Sequence, residues 1–245
     1  VQVDEIVKFS RLLLSTDGPL TGKKVVVTVG ATRESIDPVR VITNRSTGLQ
    51  GWSIAQAALD AGAKTVLITT IHNKPAPYGT EVVKVDNAQE MKEAVLKEVG
   101  DADVLVMTAE VADFRPLNYS AHKLKKEDDL ANIELVPTDD ILSFVAKQKS
   151  ECDCPKITVG FASESENLLE NANIKLTSKN LDFIVADHVT KVEENNDSIS
   201  NRLTILYTGG EVEIMDDVDK SSIGFSIMER VEELLFKKLR SKSDF

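Results

Sequence analysis

Between Lys24 and Gly51 the chain reads KVVVTVGATRESIDPVRVITNRSTGLQG, and most residue types in it suit the binding of an anion. An apolar run from Val25 to Val29 stops at Gly30. A long stretch rich in Thr, Ser, Arg and Asn follows, and a helix is predicted to begin near Gly51. A buried strand that ends in Gly and hydroxyl residues at a helix N-terminus turns unpaired backbone N–H groups toward a negative ligand. Arg33 and Arg40 add guanidinium charge, and the turn Asn44-Arg45-Ser46-Thr47-Gly48 adds side-chain donors. Connections of this length inside a compact domain are usually functional or disordered.

Three further segments carry reactive or charged groups. Ala109 to Pro116 (AEVADFRP) follows the apolar strand 104–108, so Asp113, Phe114 and Arg115 fall at a strand's carboxyl end, where α/β sheets bind ligands. His122 to Asp129 (HKLKKEDD) gathers Lys123, Lys125 and Lys126, and an extended backbone would point Lys123 and Lys125 to one side. Three ammonium groups there suit a polyphosphate; the same run also reads as a solvated stretch balanced by Glu127, Asp128 and Asp129. Val159 to Glu164 (VGFASE) is another strand end and leads into a helix that carries Lys175 and Lys179 on one face. Phe161 at its mouth suits stacking on a base or sugar, although an aromatic in that place is more often core. Tyr119 and Lys123 match the Tyr-x-x-x-Lys pair of short-chain oxidoreductases. A nicotinamide fold, however, needs a spaced glycine fingerprint after its first strand and an acid closing its second. Here Gly30 stands alone and the run Val66 to Ile71 ends without an acid.

The elements that must position these groups alternate. Strands are predicted at 24–29, 64–70, 81–85, 103–108, 132–136, 157–161 and 182–187, with helices at 51–62, 87–98, 139–148 and 165–179. Such alternation predicts an α/β fold: a doubly wound, Rossmann-like, mostly parallel sheet with helices on both faces. A C-terminal β-hairpin is predicted from Arg202–Tyr207 and Glu211–Met215 about a Thr-Gly-Gly turn, followed by a helix over 221–240. Residues 3–14 predict an amphipathic helix, closed by the breaker cluster Ser15 to Pro19, and the polar segment 192–201 predicts a mobile loop.

Bulk properties narrow the classes. A length of 245 residues with 42% hydrophobic content suits one large domain with a full core. A formal charge of −11 disfavours nucleic acid and anionic lipid as partners, and no window is apolar enough for a membrane span. Cys152 and Cys154, one residue apart in a polar segment, read as reduced surface thiols, which fits a cytoplasmic location. His72, His122 and His188 show no metal-ligand spacing, so no metal-ligating residue is assigned. The start at Val1 rather than Met suggests a piece of a longer polypeptide.

Read together, the motifs resemble the phosphopantothenoylcysteine synthetase family of coenzyme A biosynthesis. The resemblance rests on Thr32-Arg33-Glu34-x-Ile36-Asp37-Pro38-Val39-Arg40, on Asn44-Arg45-Ser46-x-Gly48, and on Val111 to Pro116. The Lys123 to Lys126 run, Gly160-Phe161-Ala162, Lys175 and Lys179-Asn180-Leu181-Asp182 then follow in the same order, so it runs from Gly22 to about residue 240. It implies a ligase that joins 4′-phosphopantothenate to L-cysteine, using CTP with Mg²⁺ and passing through an acyl-cytidylate. It also implies a cytoplasmic homodimer, and a boundary between a helix and linker at 1–21 and a synthetase domain at 22–245. Those first residues look like the junction from a preceding flavin-dependent decarboxylase domain.

The resemblance further implies roles for single residues. Asn44 is tied to turnover of the acyl intermediate and Lys123 to the triphosphate, and these two are the expected catalytic residues. Gly30, Ser46, Thr47 and Gly48 resemble the phosphate cradle. Met107, Thr108, Ala109 and Asp113 resemble the nucleotide pocket, completed by Phe161, Lys175 and Lys179. Arg40 and Phe114, with Asn44, are expected on the substrate side. Leu49-Gln50 and Pro137-Thr138-Asp139-Asp140 depart from the family pattern and remove positive charge near the phosphates, which bears on nucleotide choice more than on reaction class. No base for the cysteine amine is assigned. A regulatory nucleotide-binding module and, further off, an NAD(P)-dependent oxidoreductase are the competing readings.

Overall fold

A strand that is apolar at every position must be covered on both faces, and the valine run is. In the computed structural model, which describes residues 3–125, 132–164, 166–188, 201–219 and 222–243, helix α1 (Val3–Leu14) precedes strand β1 (Lys24–Val29). A small ribbon follows, β2 (Arg33–Ser35) and β3 (Val41–Thr43). Helix α2 (Leu49–Asp60), strands β4 (Lys64–Thr69) and β5 (Glu81–Lys84), helix α3 (Ala88–Glu98) and strand β6 (Val104–Met107) come next. Then come β7 (Phe114–Pro116), β8 (Leu135–Pro137), α4 (Ile141–Cys152), β9 (Ile157–Glu164) and α5 (Leu168–Ser178). The chain continues through β10 (Phe183–His188), β11 (Asn201–Tyr207), β12 (Val212–Val218) and α6 (Ile223–Ser243).

Eight strands form one sheet in the order β12-β11-β10-β9-β6-β1-β4-β5. The strands from β10 to β5 run parallel, while β11 and β12 add an antiparallel hairpin at the edge. Period-two geometry divides the core. Val25, Val27, Val29, Val104, Val106, Phe183 and Val185 pack on the side of α2 and α6. Val26, Leu105 and Met107 pack with Met91, Val95 and Val145 of α3 and α4, and Ile184 and Ala186 pack beneath α5. After β1 the sheet grows toward β4 and β5, then restarts on the other side with β6. The order therefore reverses between β1 and β6, which in open α/β sheets is where a crevice opens at the strands' carboxyl ends.

Two expectations need correction. The segment predicted as a strand over 132–136 contributes no strand to the main sheet. Its β8 pairs antiparallel with β7, Phe114 opposite Pro137, in a separate ribbon. A parallel neighbour needs a covered crossover, usually a helix, and none lies between β7 and β8 among the described residues. The long connection after Gly30 is also not a plain loop, since β2 and β3 pair with Arg33 opposite Thr43. Helix α1 covers the predicted residues and ties to α2 through the Arg11–Asp60 ion pair, leaving Val3, Ile6, Phe9 and Leu14 exposed. The loop expected over 192–201 lies outside the described residues as far as 200, and Asn201 begins β11.

Helix α2 approaches the site so closely that its first turn admits no side chain at Gly51. A Cβ there would stand 2.4 Å from Thr108 Oγ1 and 2.5 Å from Val29 Cγ2. Both neighbours are packed, so the backbone must give way. Gly51→Ala is expected to cost about 1–3 kcal/mol, as overpacking generally does. In a chain of this size that corresponds to a Tm lower by roughly 2–4 °C per kcal/mol, measurable by calorimetry; an unchanged Tm overturns the close-approach account.

Candidate active site

At the reversal point the backbone after β6 is stitched to the end of β1. The Ala109 N–H donates to Thr28 Oγ1 at 3.1 Å, and Thr108 Oγ1 donates to the Thr28 carbonyl at 2.5 Å. The Glu110 N–H donates to the Gly30 carbonyl, and the Glu110 carbonyl accepts from the Thr32 N–H. Buried Thr32 then accepts from the Ala112 N–H at 2.9 Å, while Thr138 donates to the Ala112 carbonyl. Each threonine binds backbone rather than water, so the segment 108–113 is fixed from both sides.

This segment floors a cleft of about 320 Å³. Asn44 stands at one end of it, its amide 3.5 Å from the Val111 carbonyl. Met107, Thr108, Ala109 and Asp113 line the floor, and half-buried Phe161 lies opposite, with Lys175 and Lys179 reaching in from α5 and its C-cap. Eight residues singled out in the sequence thus share one wall-to-wall space. Thr138, Asp139 and Asp140 also face it, so the departure noted at 137–140 brings acids to the cleft.

The lysines are not free charges. Lys175 pairs with Glu164 at 2.6 Å, and Lys179 pairs with Asp140 at 3.3 Å. Asp140 also caps α4, accepting from the Ser143 hydroxyl and N–H. Burial pushes its carboxyl up, but Ser143 and Lys179 outweigh this and hold it below the ordinary range. Lys175 and Lys179, expected in the nucleotide pocket, thus each carry a carboxylate partner at the cleft.

The remaining expected residues do not line the cleft. Gly30 ends β1. Ser46 and Thr47 are exposed ahead of α2, and the Ser46 hydroxyl accepts from the Gly48 N–H. Gly48 is the helix's N-cap at φ 69°, a left-handed conformation natural to glycine, and no side chain caps α2. Its first N–H groups remain a positive helix end beside Asn44. Phe114 lies on β7, about half exposed. Tyr119 and Lys123, the pair that resembled an oxidoreductase motif, are exposed and away from the cleft walls.

Arg40 and Lys123 are linked through an element that the sequence did not disclose. Asp37, fully buried at its side chain, accepts from the N–H groups of Val39 and Arg40 and from that of Leu124 at 3.2 Å. The Arg40 guanidinium pairs with Asp37 at 2.7 Å and donates to the Leu124 carbonyl. Both backbone groups of the residue between Lys123 and Lys125 are thereby clamped. Burial raises the Asp37 carboxyl, yet three backbone donors and Arg40 overcome this and leave it below its ordinary value. Strand β3 connects this clamp to Asn44. Lys126 lies outside the described residues.

Sequence reasoning missed Glu110, which lines the cleft with its main chain pinned between Gly30 and Thr32. Burial pushes its carboxyl above the ordinary range; Ser163 and Lys175 pull it down in part, while Asp113 and Asp187 push it further up. No spacing signal marked it.

Residues 20–235 match the model of the DNA/pantothenate metabolism flavoprotein C-terminal domain. The chain belongs to that family. It is the phosphopantothenoylcysteine synthetase type of domain that the motifs resembled. The coenzyme A biosynthesis bifunctional protein CoaBC of Bacillus subtilis is 39% identical over 220 residues, 89% of this chain and 53% of that protein. Its counterpart in Vibrio parahaemolyticus is 38% identical over 218 residues, 88% of this chain and 54% of the relative. The crystal structure of the C-terminal domain of a CoaBC protein superposes with a TM-score of 0.75 at 34% identity, covering 90% of this chain and all of that one. The chain thus spans about half the length of the curated relatives it matches.

Within this family domain the Asp37 clamp gives a direct test. A carboxylate whose folded pKa is depressed contributes its restraint above its ordinary pKa and loses it as pH falls through the lower folded value. At neutral pH the clamp is therefore fully engaged. Asp37→Asn, which keeps the shape but weakens the acceptor, is expected to raise trypsin cleavage after Lys123 and Lys125 several-fold at pH 7.5, read by mass spectrometry of timed digests. Equal cleavage rates in both proteins overturn the clamp.

Proposed function

We propose that the chain is the ligase part of a coenzyme A biosynthesis enzyme, joining 4′-phosphopantothenate to L-cysteine at the expense of CTP. The observation that carries this is the single cleft uniting Asn44 with Met107, Thr108, Ala109, Asp113, Phe161, Lys175 and Lys179 at the sheet's reversal point. Family membership supports the reaction class, and the naming of the relatives supports the pathway.

A carboxylate is a poor acyl donor, so in this scheme it attacks the α-phosphorus of CTP and the bond to pyrophosphate breaks. The cysteine amine then attacks the acyl carbon of the acyl-cytidylate and CMP leaves. Negative charge spreads over phosphoryl oxygens in the first step, which positioned donors and cations stabilise. Lys175 and Lys179 line the cleft, and on this reading Lys123 and the N-terminus of α2 meet the phosphates beyond its walls. The amide of Asn44 donates to the acyl oxygen without competing as a nucleophile. Among the described residues no group of three or more His, Cys, Asp or Glu side chains could hold a metal ion. Mg²⁺ suits this reading as an ion carried by the phosphates, neutralising their charge.

The scheme includes a homodimer and fusion to a flavin-dependent decarboxylase domain ahead of α1. Exposed Val41, Phe114, Leu117 and Leu135 on the ribbons β2–β3 and β7–β8 support a self-association surface. No helix among the described residues is long and apolar enough to cross a membrane.

Mixing CTP, 4′-phosphopantothenate and cysteine is expected to release pyrophosphate and yield phosphopantothenoylcysteine. Nucleotide binding without pyrophosphate would favour the regulatory module instead. Lys123→Ala is expected to lower turnover by about 10²–10³-fold, the size associated with one oriented electrostatic contact. Unchanged turnover at saturating CTP removes Lys123 from the mechanism.

A further inference from the structure

Three other carboxylates that are buried or nearly so are surrounded by donors. Asp37 has three backbone N–H groups and Arg40. Asp182 has the Thr158 N–H, Lys149 and Lys238, and Asp103 has the Lys24 N–H, Lys156 and Lys23. These arrangements hold the sheet and its helices together, as a structural role demands. Glu110 differs. Among the described residues one group donates to its side chain, the Ser163 hydroxyl at 3.2 Å to Oε1. It faces the cleft beside Asn44, whose amide reaches the next residue's carbonyl. Its backbone is held at both N–H and C=O, so the carboxyl stands on a rigid support.

We propose that Glu110 is the proton acceptor for the cysteine amine in the amide-forming step. The inference rests on the ligase reading above. The neutral amine attacks the acyl carbon of the mixed anhydride, forming the C–N bond and a tetrahedral adduct whose nitrogen bears a positive charge. The Glu110 carboxylate takes one N–H proton. The C–O bond to the nucleoside monophosphate then breaks, and its electron pair leaves with the phosphate oxygen. Glu110 finally returns the proton to solvent.

The surroundings suit this. A carboxyl destabilised as an anion by burial is a stronger base than an ordinary one. The groups that face it are Ser163 on β9 and Lys175 on α5, which favour the anion, and Asp113 on its own segment and Asp187 on β10, which oppose it. An approaching amine N–H supplies a second donor beside the Ser163 hydroxyl.

Rapid-quench measurement on the full chain separates the steps. CTP and 4′-phosphopantothenate are mixed without cysteine to form the acyl-nucleotide, then cysteine is added and single-turnover amide formation is followed against pH. Below the Glu110 titration the wild-type rate is expected to fall by about two log units per pH unit, one from the substrate ammonium and one from Glu110. Glu110→Gln is expected to fall by about one, with amide formation slowed by roughly 10²–10⁴-fold relative to acyl-nucleotide formation. Glu110→Asp keeps the steeper limb. Ser163→Ala removes a bond that favours the anion, so it moves that limb to higher pH, and it supplies a readout should the glutamine variant fold poorly. A glutamine variant with the wild-type profile and step ratio overturns the assignment alone, as does a serine variant whose limb stays in place. Wild-type protein that forms no acyl-nucleotide overturns the ligase reading itself.

Discussion

Everything in the candidate site depends on the attachment of one segment to one strand end. Ala109 and Ala112 donate to threonine hydroxyls on the β1 side, and Glu110 exchanges main-chain bonds with Gly30 and Thr32. Those bonds extend the β1–β6 ladder, which ends at Thr28 opposite Met107, into the loops beyond the strands. Buried hydroxyls make the attachment specific, since a threonine facing apolar surroundings must find a backbone partner. The packing of α2 against the same tips through Gly51 makes it tight.

On this base the molecule solves an electrostatic problem. Its excess of acids opposes an anionic ligand, so on the ligase reading the site must favour one by local means. The uncapped start of α2 offers backbone donors without adding net charge. The Asp37–Arg40 turn uses a buried carboxylate to organise a segment that carries lysines. Charge is supplied where geometry, rather than composition, decides its reach.

The main sheet was readable in the sequence because its central strands are largely apolar and its helices are bounded by Gly, Asn and Asp signals. Asn87 and Asp140 do cap α3 and α4. The ribbons were not. Three-residue strands such as Arg33–Ser35 have no periodicity to detect, and they are held by their own short ladders and the turn bonds beside them. The motif residues that gather in the cleft were found through resemblance and strand-end logic. Glu110 escaped because a lone glutamate after a buried strand looks like a surface residue until its place in the cleft is known, and the Asp37 clamp because its bond to Leu124 spans 87 positions of the chain.

The ion pairs at Lys175 and Lys179 have a further consequence. A tethered carboxylate has a high effective concentration beside its lysine, so chloride or a single phosphate dissolved in the medium gains little by competing for either cation. Linked phosphates can displace both Glu164 and Asp140 in one event, because the second exchange is then intramolecular. On the ligase reading, a resting cleft so arranged would sort anions by valence, favouring a multiply charged chain over the abundant small ions.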